Sequence, residues 1–137
     1  MAPWDLTDAI DAGRTDEALN DLHRLLGSGE RHPLVVLAIL HRHVASLLRV
    51  DSPSIRTEAQ AAEAMGIAKG RSTFPAKKAL SASQRWGSDG IADGIRLVAQ
   101  AELDLKGASS WPPDAILEVL VARLCFRARG GSATARR

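Results

Sequence analysis

Apolar residues recur at helical spacing along most of the chain, and no segment shows the alternation of a half-buried strand. The last predicted helix is the clearest case, because its apolar residues fall at i, i+3, i+4 and i+7. These residues are Leu117, Leu120, Val121 and Leu124. The pattern predicts an all-α fold, a single helical bundle of roughly six or seven helices.

Glycine and proline divide the first half of the chain into helices. Gly13 and the Gly-Ser-Gly at 27–29 end the first two helices, which a short turn joins as an antiparallel hairpin. Pro33 opens the third helix. Residues 34–50 are apolar around most of the helix circumference, and such a helix is usually central and buried. The run 34–40 alone also fits a buried strand, but its apolar continuation favours a helix.

The sequence of the second half of the chain predicts a short capped helix and then two helices in tandem. Thr57 and Gln60 have the spacing of a capping box. A basic helix over 75–86 is followed by a turn at 87–88 and by a longer apolar-striped helix that ends at Gly107. We expect one domain over residues 1–128 and a disordered basic tail over 129–137.

The composition is that of an ordinary globular protein, with 45% hydrophobic and 25% charged residues. A single cysteine excludes an internal disulfide and fits a reducing cytoplasm. The first residues have neither a basic nor an apolar leader region, so we expect no signal peptide. The apolar run 34–40 is far shorter than the ~20 residues of a membrane span. These features predict a cytoplasmic protein with no membrane partner.

The net charge of +2 is unevenly distributed. Residues 1–30 contain seven acids and two bases, a net −5, which leaves +7 on the remainder. No acid occurs between Glu63 and Asp89, where five basic residues fall. Such asymmetry is typical of a surface that faces an anion or an acidic partner, although a solvated helix face gives the same pattern.

No catalytic or cofactor motif is complete in this sequence. Residues 66–72 (GIAKGRS) approach a phosphate-binding P-loop but are one residue short between the glycines and have Arg where the loop needs Lys. His41 and His43 are two apart, which places them on different helix faces rather than at metal-ligand spacing. Cys125 lies inside an apolar helix and is expected to be a small buried hydrophobe. We predict no catalytic residue, no cofactor and no metal.

The helices predicted at 57–66 and 75–86 invite comparison with a helix-turn-helix motif. The gap between them is about twice the 3–4 residues of that motif. The second helix offers few side chains that read bases, but Lys77, Lys78 and Arg85 suffice for phosphate contacts. The pattern argues against sequence-specific DNA binding and leaves non-specific contact open.

Trp86 and Trp111 are the tryptophans near predicted helix ends. Such residues can stack on single-stranded bases. Tryptophans in this position more often pack in a core or an interface, and we favour that interpretation.

Taken in order, these segments resemble the C-terminal domain of the delta subunit of bacterial DNA polymerase III. The resemblance extends over about 6–124. Its most specific pieces are FPAKKA at 74–79 and AELDLKG at 101–107. Each piece alone is weak evidence for the family. The resemblance depends on the order and spacing of the pieces together.

The resemblance implies a place in the clamp loader, which opens the ring-shaped sliding clamp and loads it on primed DNA during replication. This chain is expected to be the helical collar domain, which holds the loader's subunits in a ring. The implied partners are the other loader subunits, delta prime and gamma/tau, with primed DNA in the full complex. Contact with the sliding clamp is implied only through N-terminal domains that this chain lacks, and the fragment is expected to be non-catalytic.

Five residues are candidates for a subunit interface or a DNA-facing side. Three of them, Lys77, Lys78 and Lys106, match the motif positions of the family. Arg85 and Trp86 complete the set. Two rival interpretations stay open, a stand-alone helical DNA-binding protein with non-specific phosphate contacts and a small helical enzyme whose residues come from distant segments.

Overall fold

The structure is a computed structural model that describes residues 2–27, 29 and 31–130. Within these ranges the chain forms six α-helices and one π-helical turn, and no strand. They are α1 (Pro3–Asp11), α2 (Thr15–Gly27), α3 (Pro33–Val50), α4 (Glu58–Ala64), α5 (Phe74–Leu103), the π-helical turn (Asp104–Ala108) and α6 (Pro113–Ala128). The predicted all-α bundle is confirmed.

The centre of the bundle is formed by α3, α5 and α6. Helix α5 packs along both of the others, and the α1–α2 hairpin covers α6. The apolar circumference of α3 predicted this central place. Its buried side chains are Val36, Leu37, Leu40, Val44, Leu47 and Val50.

By length and apolar composition, α3 is also the one helix in the described part of the chain that is able to cross a bilayer. Core helices of soluble proteins meet the same criterion, because both kinds of helix are long and apolar. Six side chains of α3 are buried in this bundle.

Helix α5 contains the predicted turn between the tandem helices. Gly87 has φ 74° and ψ 160°, a conformation open to glycine and costly for other residues. It divides α5 into a basic first half and an apolar second half. The second half was predicted to end at Gly107, whereas α5 ends at Leu103 and the chain continues in the π-helical turn, inside which Gly107 has φ 118°.

A close helix approach depends on two glycines in the second half of α5. A methyl group added at Gly94 would lie 2.9 Å from Cζ3 of Trp86 and 3.3 Å from Cγ1 of Val44. One added at Gly90 would lie 3.3 Å from the carbonyl oxygen of Arg127. Four residues apart, the two glycines share one helix face and allow α5 to lie against its neighbours.

The capping box on α4 is confirmed. The backbone N–H of Gln60 donates to Thr57 Oγ1 at 3.1 Å, and the N–H of Thr57 donates to Gln60 Oε1 at 3.1 Å. This reciprocal pair satisfies two donors at the start of α4.

The first residue of the predicted tail, Arg129, is hydrogen-bonded to the turn between α1 and α2. The guanidinium of Arg129 donates to the carbonyl oxygen of Gly13 at 2.8 Å and to Thr15 Oγ1 at 3.1 Å. Arg129 thus ties the end of α6 to the turn between α1 and α2. Residues 131–137 of the predicted tail lie outside the described part of the structure.

Candidate interaction surface

The basic first half of α5 lies beside the acidic helix α1. Nζ of Lys78 is 2.6 Å from Oδ1 of Asp8. The guanidinium of Arg85 donates to the backbone carbonyl of Asp11 at 3.2 Å. Part of the charge asymmetry seen in the sequence is therefore matched within the chain, between helices far apart in sequence.

We expected Trp86 to face a partner or DNA, but its side chain is buried. Only 2% of its surface is exposed. Its indole Nε1 donates to Oδ1 of Asp11 at 3.1 Å. A buried tryptophan needs such a partner for its N–H, and its ring fills the space left by Gly94. Trp86 belongs to the core.

Asp11 is the polar centre of this region. It is buried, and its Oδ1 also lies 2.8 Å from Nε2 of His43 on α3. One carboxylate thus joins α1, α3 and α5. The contact explains why a carboxylate is tolerated in the core, since a buried charge costs free energy unless it is hydrogen-bonded.

The remaining histidine and cysteine candidates do not form a reactive centre in the described ranges. His41 is exposed, whereas His43 points to Asp11, so the two histidines face different ways as their spacing predicted. Cys125 is buried, as predicted, and this burial raises the pKa of its thiol, which disfavours the reactive thiolate. Among residues 2–27, 29 and 31–130, no group of three or more His, Cys, Asp or Glu is placed to hold a metal ion.

The five predicted site residues are not brought together. Lys77 is exposed, Lys78 and Arg85 bridge to α1, and Trp86 is buried. Lys106 lies in the π-helical turn, where its Nζ is 2.8 Å from Oε2 of Glu102 one turn earlier. Only Lys77, Lys78 and Arg85 lie on one surface.

Beside these residues is a groove that the sequence did not reveal. We call it the Trp4–Phe74 groove, after the two aromatic side chains at its edges, which are 63% and 59% exposed. It has a volume of about 420 Å³ and is lined mainly by apolar groups, among them Met65, Pro75 and Ala79. The sequence contained one indication of this groove, because Trp4 falls on the side of α1 opposite its buried apolar residues Leu6, Ala9 and Ile10.

Cations border the groove on two sides. Arg42 and Arg49 line the adjoining part of the α3 surface, and Lys77 lines the adjoining part of α5. All three are exposed, and none forms an ion pair with another described residue. The nearby carboxylates of Asp8 and Asp11 are already engaged. The surface therefore combines an apolar groove with unpaired positive charge.

Large apolar residues are also exposed elsewhere on α5 and α6. They are Leu103 on α5 and Phe126 on α6. Trp111, in the loop before α6, is 57% exposed. Exposed apolar side chains on these helices are the feature expected of a domain whose surfaces are covered by other proteins.

A search of the curated proteins returned no match for this chain. The family model described as "DNA polymerase III delta subunit, C-terminal domain" matches residues 3–124 of the 137. The match covers all of α1 to α5 and most of α6, and the all-helical fold agrees with it. The chain belongs to this family, that of the C-terminal domain of the DNA polymerase III delta subunit.

Proposed function

We propose that this chain is a collar domain of the clamp loader, a non-catalytic module that joins the delta subunit to its neighbours. The family match over residues 3–124 carries the proposal. Its partners are the other loader subunits, delta prime and gamma/tau. The sliding clamp is reached through other domains of the delta subunit, and primed DNA is met in the full complex. The place of action is the cytoplasm, where bacterial DNA is replicated.

The surface chemistry supports an assembly role. Phe74, Leu103 and Phe126 are large apolar residues that remain exposed on helices that otherwise pack well. Side-to-side contacts between different surfaces generate rings, which is the arrangement a collar requires. Exposed apolar groups on more than one helix suit a subunit that has a neighbour on each side.

A second candidate function is favoured by one observation. Arg42, Arg49 and Lys77 form no ion pair with the described residues and are available to phosphates. Under this alternative the chain is a stand-alone DNA-binding protein with non-specific contacts. Such binding weakens steeply with salt, whereas burial of apolar surface between subunits does not.

Competition with the full-length delta subunit tests the proposal. A clamp loader is assembled from delta, delta prime and gamma/tau of the same organism, with an increasing excess of this chain present. A collar domain displaces full-length delta and reduces clamp loading as its concentration rises. Undiminished incorporation of full-length delta at saturating chain, together with salt-sensitive binding of the chain to DNA, would favour the alternative.

A further inference from the structure

We propose that the Trp4–Phe74 groove receives a helix from a sister subunit, one that carries a large apolar anchor residue flanked by carboxylates. The inference rests on the proposed collar function and adds to it the surface and the chemistry of the occupant. Lys78, one of the predicted site residues, lines this groove together with residues of the 74–79 motif, whereas Trp4 and Met65 come from other parts of the chain. Three observations carry the proposal.

The groove is suited to an apolar anchor because its own polar groups are already satisfied. Lys78 is paired with Asp8, and the Asp11 carboxylate is engaged by Trp86 and His43. An incoming apolar side chain therefore does not separate these charged groups from their partners. The exposed faces of Trp4 and Phe74 supply the contact area for the anchor.

The positive charges around the groove indicate which side chains the occupant carries beside its apolar anchor. Arg42 and Arg49 are seven residues apart on α3, or about 10 Å at 1.5 Å per residue. Lys77 lies on α5, and all three are free of ion pairs with the described residues. Carboxylates on both sides of an apolar anchor match this arrangement, since complementary charge steers association and fixes its register.

A second copy of this chain fits the groove poorly. Its acidic segment, α1 and α2, carries Trp4 as its one exposed large apolar residue within the described ranges, and Trp4 already lines the groove. The exposed acids of α2, such as Asp16 and Glu17, have no large exposed anchor beside them.

Leu103 on α5 is exposed and flanked by Glu102 and Asp104, but both carboxylates are engaged within the chain, Glu102 with Lys106 at 2.8 Å and Asp104 with Gln100 at 3.0 Å. A different protein, with free carboxylates beside its anchor, is therefore the better match.

Single-stranded DNA is the other class of ligand to be distinguished. Stacked bases use exposed aromatic faces and cations, but they leave the apolar floor at Met65 and Ala79 unused. The groove is lined mainly by apolar groups. The mainly apolar surface of the groove favours a side-chain anchor over a stacked base.

Site-specific crosslinking tests the occupant. Benzoylphenylalanine replaces Phe74, and the chain is mixed with delta prime and gamma/tau in the presence of a primed DNA template and then irradiated. The expected adduct is a peptide from a helix of a sister subunit with acidic residues near an aliphatic or aromatic one. An adduct to DNA, an adduct to a second copy of this chain, or no adduct in an assembled complex would each overturn the inference.

Matched variants measure the contribution of the groove to assembly. Trp4→Ala and Phe74→Ala should each weaken binding to the sister subunit by at least about tenfold, since buried aromatic anchors dominate interfaces. Arg42→Glu with Arg49→Glu should weaken binding and reduce its salt dependence. Leu48→Ala removes a similarly exposed apolar side chain that does not line the groove and should bind like the unaltered chain.

These binding measurements distinguish a failure of the collar function from a failure of the groove as its docking site. If the unaltered chain binds no sister subunit, the collar function itself is wrong. If it binds, and the Trp4 and Phe74 variants bind as tightly as the Leu48 variant, the collar function stands and the groove is not its docking site. Circular dichroism of each variant shows that loss of binding is not loss of fold, because both groove aromatics are mostly exposed.

Discussion

The indole Nε1 of Trp86 donates a hydrogen bond to Oδ1 of Asp11 at 3.1 Å, across 75 positions of sequence. The bond joins the middle of α5 to the end of α1. His43 reaches the same oxygen from α3. An acidic helix and a basic helix, whose uneven charge is typical of a surface that faces a partner, are therefore held to each other inside one domain.

The Trp86–Asp11 bond should contribute measurably to stability. Trp86→Phe keeps most of the buried ring but removes the donor to a charged acceptor, and we expect a loss of about 1.5–3 kcal/mol in the free energy of unfolding. Urea unfolding followed by circular dichroism measures it. Trp111→Phe, at an exposed position, should change the free energy by less than about 0.5 kcal/mol. Equal effects of the two changes would contradict the structural role of the bond.

The space at Gly94 should not accept a methyl group. Gly94→Ala places Cβ 2.9 Å from Cζ3 of Trp86 and 3.3 Å from Cγ1 of Val44, so these buried side chains must move, and we expect a loss of about 1–3 kcal/mol. Thermal unfolding compares this variant with Gly27→Ala at the end of α2, where the added Cβ meets nothing within 4 Å. That control should be neutral or more stable by up to about 1 kcal/mol. A stabilised Gly94→Ala would show that the helices are farther apart.

Asp21 should give the domain a pH-dependent loss of stability. Burial raises the pKa of its carboxyl above the ordinary 3.8, and the nearby Glu17 adds to the shift. The folded state therefore binds the proton more tightly than the unfolded state, and stability falls as the pH rises from 3.8 through the folded pKa. Asp21→Asn should be more stable than the unaltered chain at neutral pH, with the difference vanishing in acid.

A control for the Asp21 prediction is available on the same helix. Asp16 is exposed in the first turn of α2, where a negative charge interacts favourably with the helix dipole. Asp16→Asn should therefore be less stable at neutral pH, by about 0.3–1 kcal/mol. Chemical unfolding at a series of pH values measures both variants. A loss of stability in Asp21→Asn at neutral pH would show that the carboxylate is stabilised where it lies.

Local features of the sequence were sufficient for the helices and their ends. The capping box at Thr57, the break at Gly87 and the central place of α3 depend on neighbours within one or two turns or on the periodicity of one helix. Such information is contained in a short stretch of chain. The same holds for Cys125, whose apolar surroundings in α6 predicted its burial.

The candidate site depended on contacts that sequence spacing does not encode. Nothing local to Trp86 shows that Asp11 lies beside it, so its exposure was misjudged. The pairing of Lys78 with Asp8 likewise follows from how α1 meets α5. The Trp4–Phe74 groove brings together residues from α1, α3 and α5, and only the tertiary packing makes them neighbours.

The central claim is that this domain exists to be assembled with the other clamp-loader subunits. Native mass spectrometry of the chain mixed with delta prime and gamma/tau of the same organism tests it most directly. We expect a complex that contains one copy of the chain together with both partners and that persists at high salt. Delta prime and gamma/tau assembling with each other while the chain remains free in solution would contradict it.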